Sequence, residues 1–284
     1  MYISYLPDEM SGVTFEESLK IGQELGLNWV EMRGVDGTNC IDLSDEQVRY
    51  AKRLLDQYGM KVSGLATPFL KCTMPGLDHE ASGPMHAARE MSYDEHLGLI
   101  GRGVEIAKAF GTEKMRLFSF WYKEDVDFWE TLDTAVKEAL SRVEGTGITL
   151  AVENEGACMI RTTRDLVDAL DRIDARAKFI YDPGNSARVG YSPKEGEFSA
   201  IAGRVALVHV KDGTWNAADG SSSPSLVGEG EVYWATELAR VAADYDGALT
   251  LEPHYAPDGD SVRGMKETVA AVRRIAKEIG LTLE

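Results

Sequence analysis

Short runs of apolar and β-branched residues alternate along the chain with longer stretches whose apolar positions recur at helical spacing. The strand-like runs are Tyr2–Leu6, Asn28–Met32, Met60–Ala66, Lys114–Phe118, 148–153, Ala177–Asp182, Val205–Val210 and Ala248–Glu252. Between them the spacing predicts helices over Thr14–Leu25, Ser44–Tyr58, Ser92–Phe110, Glu124–Glu144, Thr163–Ile173, Pro193–Ile201, Glu231–Asp244 and Val262–Ile279. In the first helix Phe15, Leu19 and Leu25 share a face. Thr14, with Glu17 three residues on, reads as a capping box, and Gly26 ends the helix.

Strict strand–helix alternation implies a parallel sheet. Eight repeats of it, in a chain of 284 residues, fit an α/β fold of the (β/α)8 TIM-barrel type, whose usual size is about 250 residues. The alternative, an open doubly wound sheet, would carry a glycine-rich turn after the first strand, and "YLPDEMSG" is not one. No linker interrupts the pattern, so residues 1–284 are expected to form one domain. The segment 67–91, rich in proline and glycine, breaks the rhythm and is expected to be a mobile loop over the barrel mouth.

In such a barrel chemistry collects where strands end. The fifth strand runs "ITLAVENEG" and ends in Glu153 and Glu155. The sixth, "KFIYDPGNS", gives Asp182 and Asn185. The seventh, "VALVHVKDG", gives His209, Lys211 and Asp212, and the eighth, "LTLEPHY", gives Glu252 and His254. The second ends in Glu31 and Arg33. Taken singly, a carboxylate at a strand end ordinarily caps the next helix or pairs on the surface, and a histidine between valines is ordinarily a hydrogen-bonded core residue. Four successive strands ending in Glu153, Asp182, His209 and Glu252 make a different pattern. At matching depth they would assemble three carboxylates and one imidazole. That set suits Mn2+ best, with Mg2+, Co2+ or Zn2+ as alternatives, and one divalent ion would remove the cost of burying such charges.

Composition narrows the partners. The formal charge is −17, which disfavours nucleic acid and anionic membranes. No run reaches the roughly 20 apolar residues that span a bilayer. The first residues, "MYISYLPDEM", lack the basic and apolar regions of a signal peptide, so the cytoplasm is the expected location. Cys40, Cys72 and Cys158 are odd in number and scattered, the pattern of buried free thiols. The substrate class left by this composition is a small molecule. A homo-oligomer and a second subunit both remain open.

The motifs "AVENEG", "YDPGNS", "VHVKDG", "GEGEVYW" and "LEPHY" together resemble those of the xylose isomerase-like TIM barrels, the sugar-phosphate isomerase/epimerase and AP-endonuclease-type superfamily. The resemblance runs the length of the chain. In its ketose 3-epimerases the metal is held by Glu, Asp, His and Glu on strands five to eight, which here are Glu153, Asp182, His209 and Glu252. The same two glutamates there form the acid/base pair on opposite faces of the sugar. Those epimerases have a sugar-binding histidine near strand six, where this chain has Asn185. The resemblance implies proton abstraction beside a carbonyl through an enediolate. Return of the proton to the opposite face is epimerisation, and return to the next carbon is isomerisation. Loss of a β-substituent would instead make the protein a lyase or dehydratase on keto-sugars, keto-inositols or 3-keto-glycosides. His254, or His79 or His86 from the loop, would then protonate the leaving group. Lys211 and Asp212 are candidates for ordering the metal or holding a hydroxyl, or else form an exposed ion pair. Phe118, Phe120, Trp121, Tyr122 and Trp215 would pack against a sugar face or under loops. Glu229 lies near the pocket in the family. A DNA-repair role is disfavoured by five histidines and the acidic charge. A non-catalytic barrel is disfavoured by the intact quartet.

Overall fold

A computed structural model describes residues 1–77, 83 and 85–284. The barrel strands are β1 (Tyr2–Tyr5), β2 (Trp29–Met32), β3 (Lys61–Leu65), β4 (Lys114–Leu117), β5 (Thr149–Glu153), β6 (Lys178–Tyr181), β7 (Val205–Val210) and β8 (Ala248–Leu251). All pair in parallel, and β1 pairs with both β2 and β8, so the sheet closes. The helices are α1 (Phe15–Glu24), α2 (Asp45–Gln57), α3 (Tyr93–Phe110), α4 (Trp129–Val143), α5 (Thr163–Ala169), α6 (Pro183–Ala187), α7 (Glu197–Ile201), α8 (Trp234–Asp244) and α9 (Ser261–Glu278). This is one closed eight-stranded TIM barrel.

The two-residue period of a strand divides the barrel into layers. Leu150 and Val152 of β5, Phe179 and Tyr181 of β6, and Val208 and Val210 of β7 join the large apolar core shared with the helices. Their alternates Ala151, Ile180 and Leu207 form a separate small apolar cluster. One step further on the same parity come Glu153, Asp182 and His209. An apolar plug therefore lies under a charged layer.

The described helices that begin with Thr14, Ser44, Ser92 and Thr162 as caps carry reciprocal capping boxes. Several ends differ from the sequence pattern. The helix expected from Glu124 starts at Trp129, because Asp125 adopts φ +57°, which interrupts a right-handed helix. The helix expected to reach Ile173 stops at Ala169, and Arg204 takes up the carbonyls of Leu170, Asp174 and Ala177 that follow. The glycine-rich stretch after β7 contains an antiparallel hairpin, Asp212–Asn216 with Ser221–Ser225, outside the barrel sheet.

The segment 67–91 divides. Phe69, Leu70, Lys71, Cys72 and Met74 are buried, and the carbonyls of Phe69, Leu70 and Cys72 accept from the backbone of Phe118, Phe120 and Trp121. That part is a fixed wall rather than a moving cover, because its apolar side chains and backbone groups are already committed to the core. His79 lies outside the described residues.

Candidate metal and substrate site

Strand register brings the four expected residues together. One donor atom from each of Glu153, Asp182, His209 and Glu252 lies within 4.8 Å of the others, and all four side chains are buried. His209 Nδ1 faces the three carboxylates, at 3.1 Å from Glu153 Oε1, 3.5 Å from Glu252 Oε2 and 3.9 Å from Asp182 Oδ2. Asp182 has both roles a strand-end carboxylate can take. Its Oδ1 caps α6 by accepting from the backbone N–H of Asn185 at 2.8 Å, and its Oδ2 faces the cluster. Asn154 ties the ends of β5 and β6 together. It accepts from the Asp182 backbone N–H at 2.9 Å and donates to the Asp182 carbonyl at 2.7 Å.

The cluster is rich in negative charge. Asp8, Glu9, Glu31, Glu153, Asp182 and Glu252 outnumber the fixed cations Arg33, Arg116 and Lys211. Arg116 pairs with Glu153 at 2.8 Å, Arg33 with Glu252 at 2.7 Å, and Lys211 with both Asp182 and Glu252 at 2.8 Å. Burial opposes ionisation of Glu153, but Arg116 and His209 overcome it and hold the carboxyl below its usual range. Glu252 is likewise held low by Lys211 and its hydrogen bond from His209, against the effect of burial. For Asp182 burial prevails over Lys211, and its carboxyl is pushed up to about 6. Burial alone would lower His209, yet Glu31 and Glu153 raise it well above the ordinary imidazole range. These carboxylates are short of positive charge.

Arg116 was not among the strand-end residues read from the sequence, and Glu31, which was, had been given no role. Glu31 is fully buried, and one oxygen lies 3.2 Å from His209 Nε2. An irregularity in the β2–β3 pairing falls between Val30 and Glu31, and such shifts re-aim side chains. A carboxylate accepting from Nε2–H favours the neutral tautomer whose Nδ1 lone pair is free to bind a metal, the arrangement commonly found behind metal-bound histidines. With three hard oxygens and one imidazole nitrogen converging, the donor set fits a divalent ion. The available signals were an arginine inside the apolar strand "KMRL" and a glutamate inside "WVEM".

A cavity of about 380 Å³ opens beside the cluster, lined by Asn185, Lys211, Trp215 and His254 together with Glu155, Arg161 and Arg188. Asn185 donates to Asp182 Oδ2 at 3.0 Å and lies 3.3 Å from Glu153 Oε1. Gly184 permits the close approach of α6, since a Cβ there would sit 2.5 Å from Lys211 Cγ. His254, at φ +47°, has Nδ1 3.0 Å from Glu9 Oε2, and its ring stacks on His86 at 5.4 Å. Asp212 has a different position. Its carboxylate accepts from the backbone N–H groups of Gly213, Gly228, Gly230 and Val232. It organises the loop and is not among the residues lining the cavity. Phe118, Phe120 and Trp121 are buried and likewise do not line it.

The model of the xylose isomerase-like TIM barrel family matches residues 19–275. The chain belongs to this family. A search of curated proteins gives no match. Among solved structures, D-psicose 3-epimerase with D-tagatose from Clostridium cellulolyticum H10 is 14% identical, with 98% of this chain and 99% of that chain covered and a TM-score of 0.70. The probable 3-DHS dehydratase AsbF of Bacillus anthracis is 14% identical, with 95% and 99% covered and a TM-score of 0.71. A xylose isomerase-like TIM barrel protein of Mycobacterium smegmatis in complex with magnesium is 15% identical, with 98% and 97% covered and a TM-score of 0.68. At such identities the likeness is one of fold. The relatives so named include an epimerase and a dehydratase.

Proposed function

We propose that this protein is a divalent-metal-dependent sugar isomerase or epimerase, with Glu153, Asp182, His209 and Glu252 holding one ion, Mn2+ by preference. The observation that carries the reading is the convergence of these four donors within 4.8 Å at the barrel mouth, beside a cavity large enough for a sugar. A bound divalent ion supplies Lewis acidity toward a substrate carbonyl oxygen. Glu153 and Glu252, held ionised by Arg116 and by Lys211 and Arg33, are the bases able to remove a proton beside that carbonyl and return it. Lys211 and Asn185 orient substrate hydroxyls, and Trp215 covers an apolar sugar face. Buried, unpaired Cys40, Cys72 and Cys158 support a cytoplasmic location.

Elimination from the same enolate is the second reading. It is supported by His254, which is oriented by Glu9 at the cavity wall with Nε2 3.8 Å from Glu252 Oε1, where it could protonate a leaving group. One experiment tests both readings. The Mn2+-loaded protein is incubated in D2O with ketoses, keto-inositols and 3-keto-glucosides. Deuterium at a carbon beside the carbonyl of a recovered sugar supports isomerisation or epimerisation, and loss of water or a glycosyl substituent supports elimination. Absence of both from every substrate sinks the assignment.

A further inference from the structure

The cations lining the cavity are not all committed. Lys211 is held by Asp182 and Glu252. Lys71, just behind the wall, lies 4.0 Å from Glu155 and over the rings of Phe118 and Trp121. Glu155 is the carboxylate that itself lines the cavity, and Lys71 is the first cation offsetting its burial and holding it ionised. Arg161 and Arg188 remain. Neither has a carboxylate within ion-pair distance among the described residues. Arg33 and Arg116, by contrast, are each paired.

Both arginines are fixed in place through Nε, and their outer nitrogens have no hydrogen-bond partner among the described residues. Arg161 Nε donates to the Gly156 carbonyl at 2.9 Å, and the guanidinium lies 4.0 Å over the Tyr122 ring. Arg188 Nε donates to Ser222 Oγ of the hairpin at 3.1 Å. The two come from successive β/α units that meet closely, since a Cβ on Gly156 would sit 3.1 Å from Val189 Cγ1. Trp215 borders the same wall, and a Cβ on Gly190 would lie 2.9 Å from its Nε1. A pre-anchored guanidinium loses little freedom on gripping a planar or tetrahedral anion, and presents paired donors to it. The acidic surface does not cancel this attraction, because charges more than about 8 Å away are largely screened at physiological salt.

We propose that the substrate carries an anionic substituent, a carboxylate or a phosphate, which sits between Arg161 and Arg188 while the reacting end lies at the Glu153–Asp182–His209–Glu252 cluster. The proposal rests on the functional reading above and narrows its substrate class to acidic sugars. The test is calorimetric titration of the Mn2+-loaded full chain with D-glucuronate, D-glucose 6-phosphate and D-glucose, on wild type, on Arg161→Gln, Arg188→Gln and the double variant of the two, and on the exposed control Arg142→Gln. At least one acidic sugar should bind at least about tenfold more tightly than glucose, the minimum expected of a charge-assisted pair. Each cavity variant should lose most of that preference, and Arg142→Gln should keep it, with melting temperatures unchanged. The acid that gains more identifies the anion. Equal or undetectable binding of all three sugars by wild type overturns the proposal, as does a preference that survives the double cavity variant. If deuterium exchange occurs on neutral ketoses with no arginine-dependent preference, the subsite is wrong and the reaction class stands. If arginine-dependent binding occurs with no exchange on any substrate, the reaction class is wrong and the subsite stands.

Discussion

His209 and His96 are both fully enclosed by protein, yet their surroundings drive them in opposite directions. His209 stands at the barrel mouth among Glu31, Glu153, Asp182 and Glu252, and these carboxylates raise its proton affinity against the effect of burial. His96 lies in the first turn of α3, edge-on to Phe69 at 6.5 Å. There burial outweighs the single neighbouring carboxylate, Glu95, and the pKa falls to about 4. One region is an anionic cage that calls for a cation. The other is a packed wall that rejects one. Burial by itself therefore says little about a histidine's role, and the count of opposing charges around it decides.

The comparison can be broken first at the cage. Glu153→Gln and Glu252→Gln keep shape and one oxygen but remove the base, so each should lower kcat with saturating Mn2+ by about 10²–10⁴-fold, the usual contribution of a placed proton carrier. In an epimerase each variant should also stop deuterium entering one epimer before the other. Near-normal turnover in both variants would move the base elsewhere, with His254 and Lys211 next in line.

The next effect concerns how the cage is held ionised. Arg116→Met removes the partner of Glu153 and the donors to the Thr67 and Ala66 carbonyls. Urea unfolding without metal should show a loss of about 3–5 kcal/mol, the cost of stranding a buried charge. Added Mn2+ should restore more stability to this variant than to wild type. A loss under 1 kcal/mol would show that Glu153 does not depend on Arg116.

The wall gives a pH signature. The folded pKa of His96 is depressed, so the unfolded chain takes up the proton first. Its contribution is fully present above about 6.5 and is lost as pH falls toward about 4, by about 3 kcal/mol in all. Subtracting the pH profile of His96→Leu from that of wild type should reveal this slope, and parallel profiles would refute it. The smallest effect is expected from Glu31→Gln, which keeps an acceptor near His209 but removes its charge. Metal affinity should fall about 10–100-fold, with kcat at saturating metal little changed.

The strand ends on β5 to β8 were legible in the sequence because residues of one parity on consecutive parallel strands must meet at one depth. That logic placed Glu153, Asp182, His209 and Glu252 without knowledge of any contact. It did not find Arg116 and gave Glu31, at the end of the second strand, no role, because their importance comes from partners on strands distant in sequence and, for Glu31, from an irregularity in pairing at Val30/Glu31. Asp212 was misread for a related reason. Its sequence neighbour Lys211 faces the cluster, but alternation turns the Asp212 carboxylate the other way, onto four backbone N–H groups. The serine-rich hairpin gave no apolar alternation to read, because polar contacts hold it, Arg188 to Ser222 on the one hand and Asp212 and Gly213 to the 228–232 loop on the other.

That hairpin has an evolutionary consequence. It contributes Trp215, Gly220 and Ser222 to the cavity wall and forms a two-stranded sheet separate from the barrel. Lengthening, shortening or replacing it would leave the strand-end donors where they are. The strand-end donors and this part of the cavity wall are thus carried by separate stretches of chain, so one surface ribbon can reshape the wall without moving the donors.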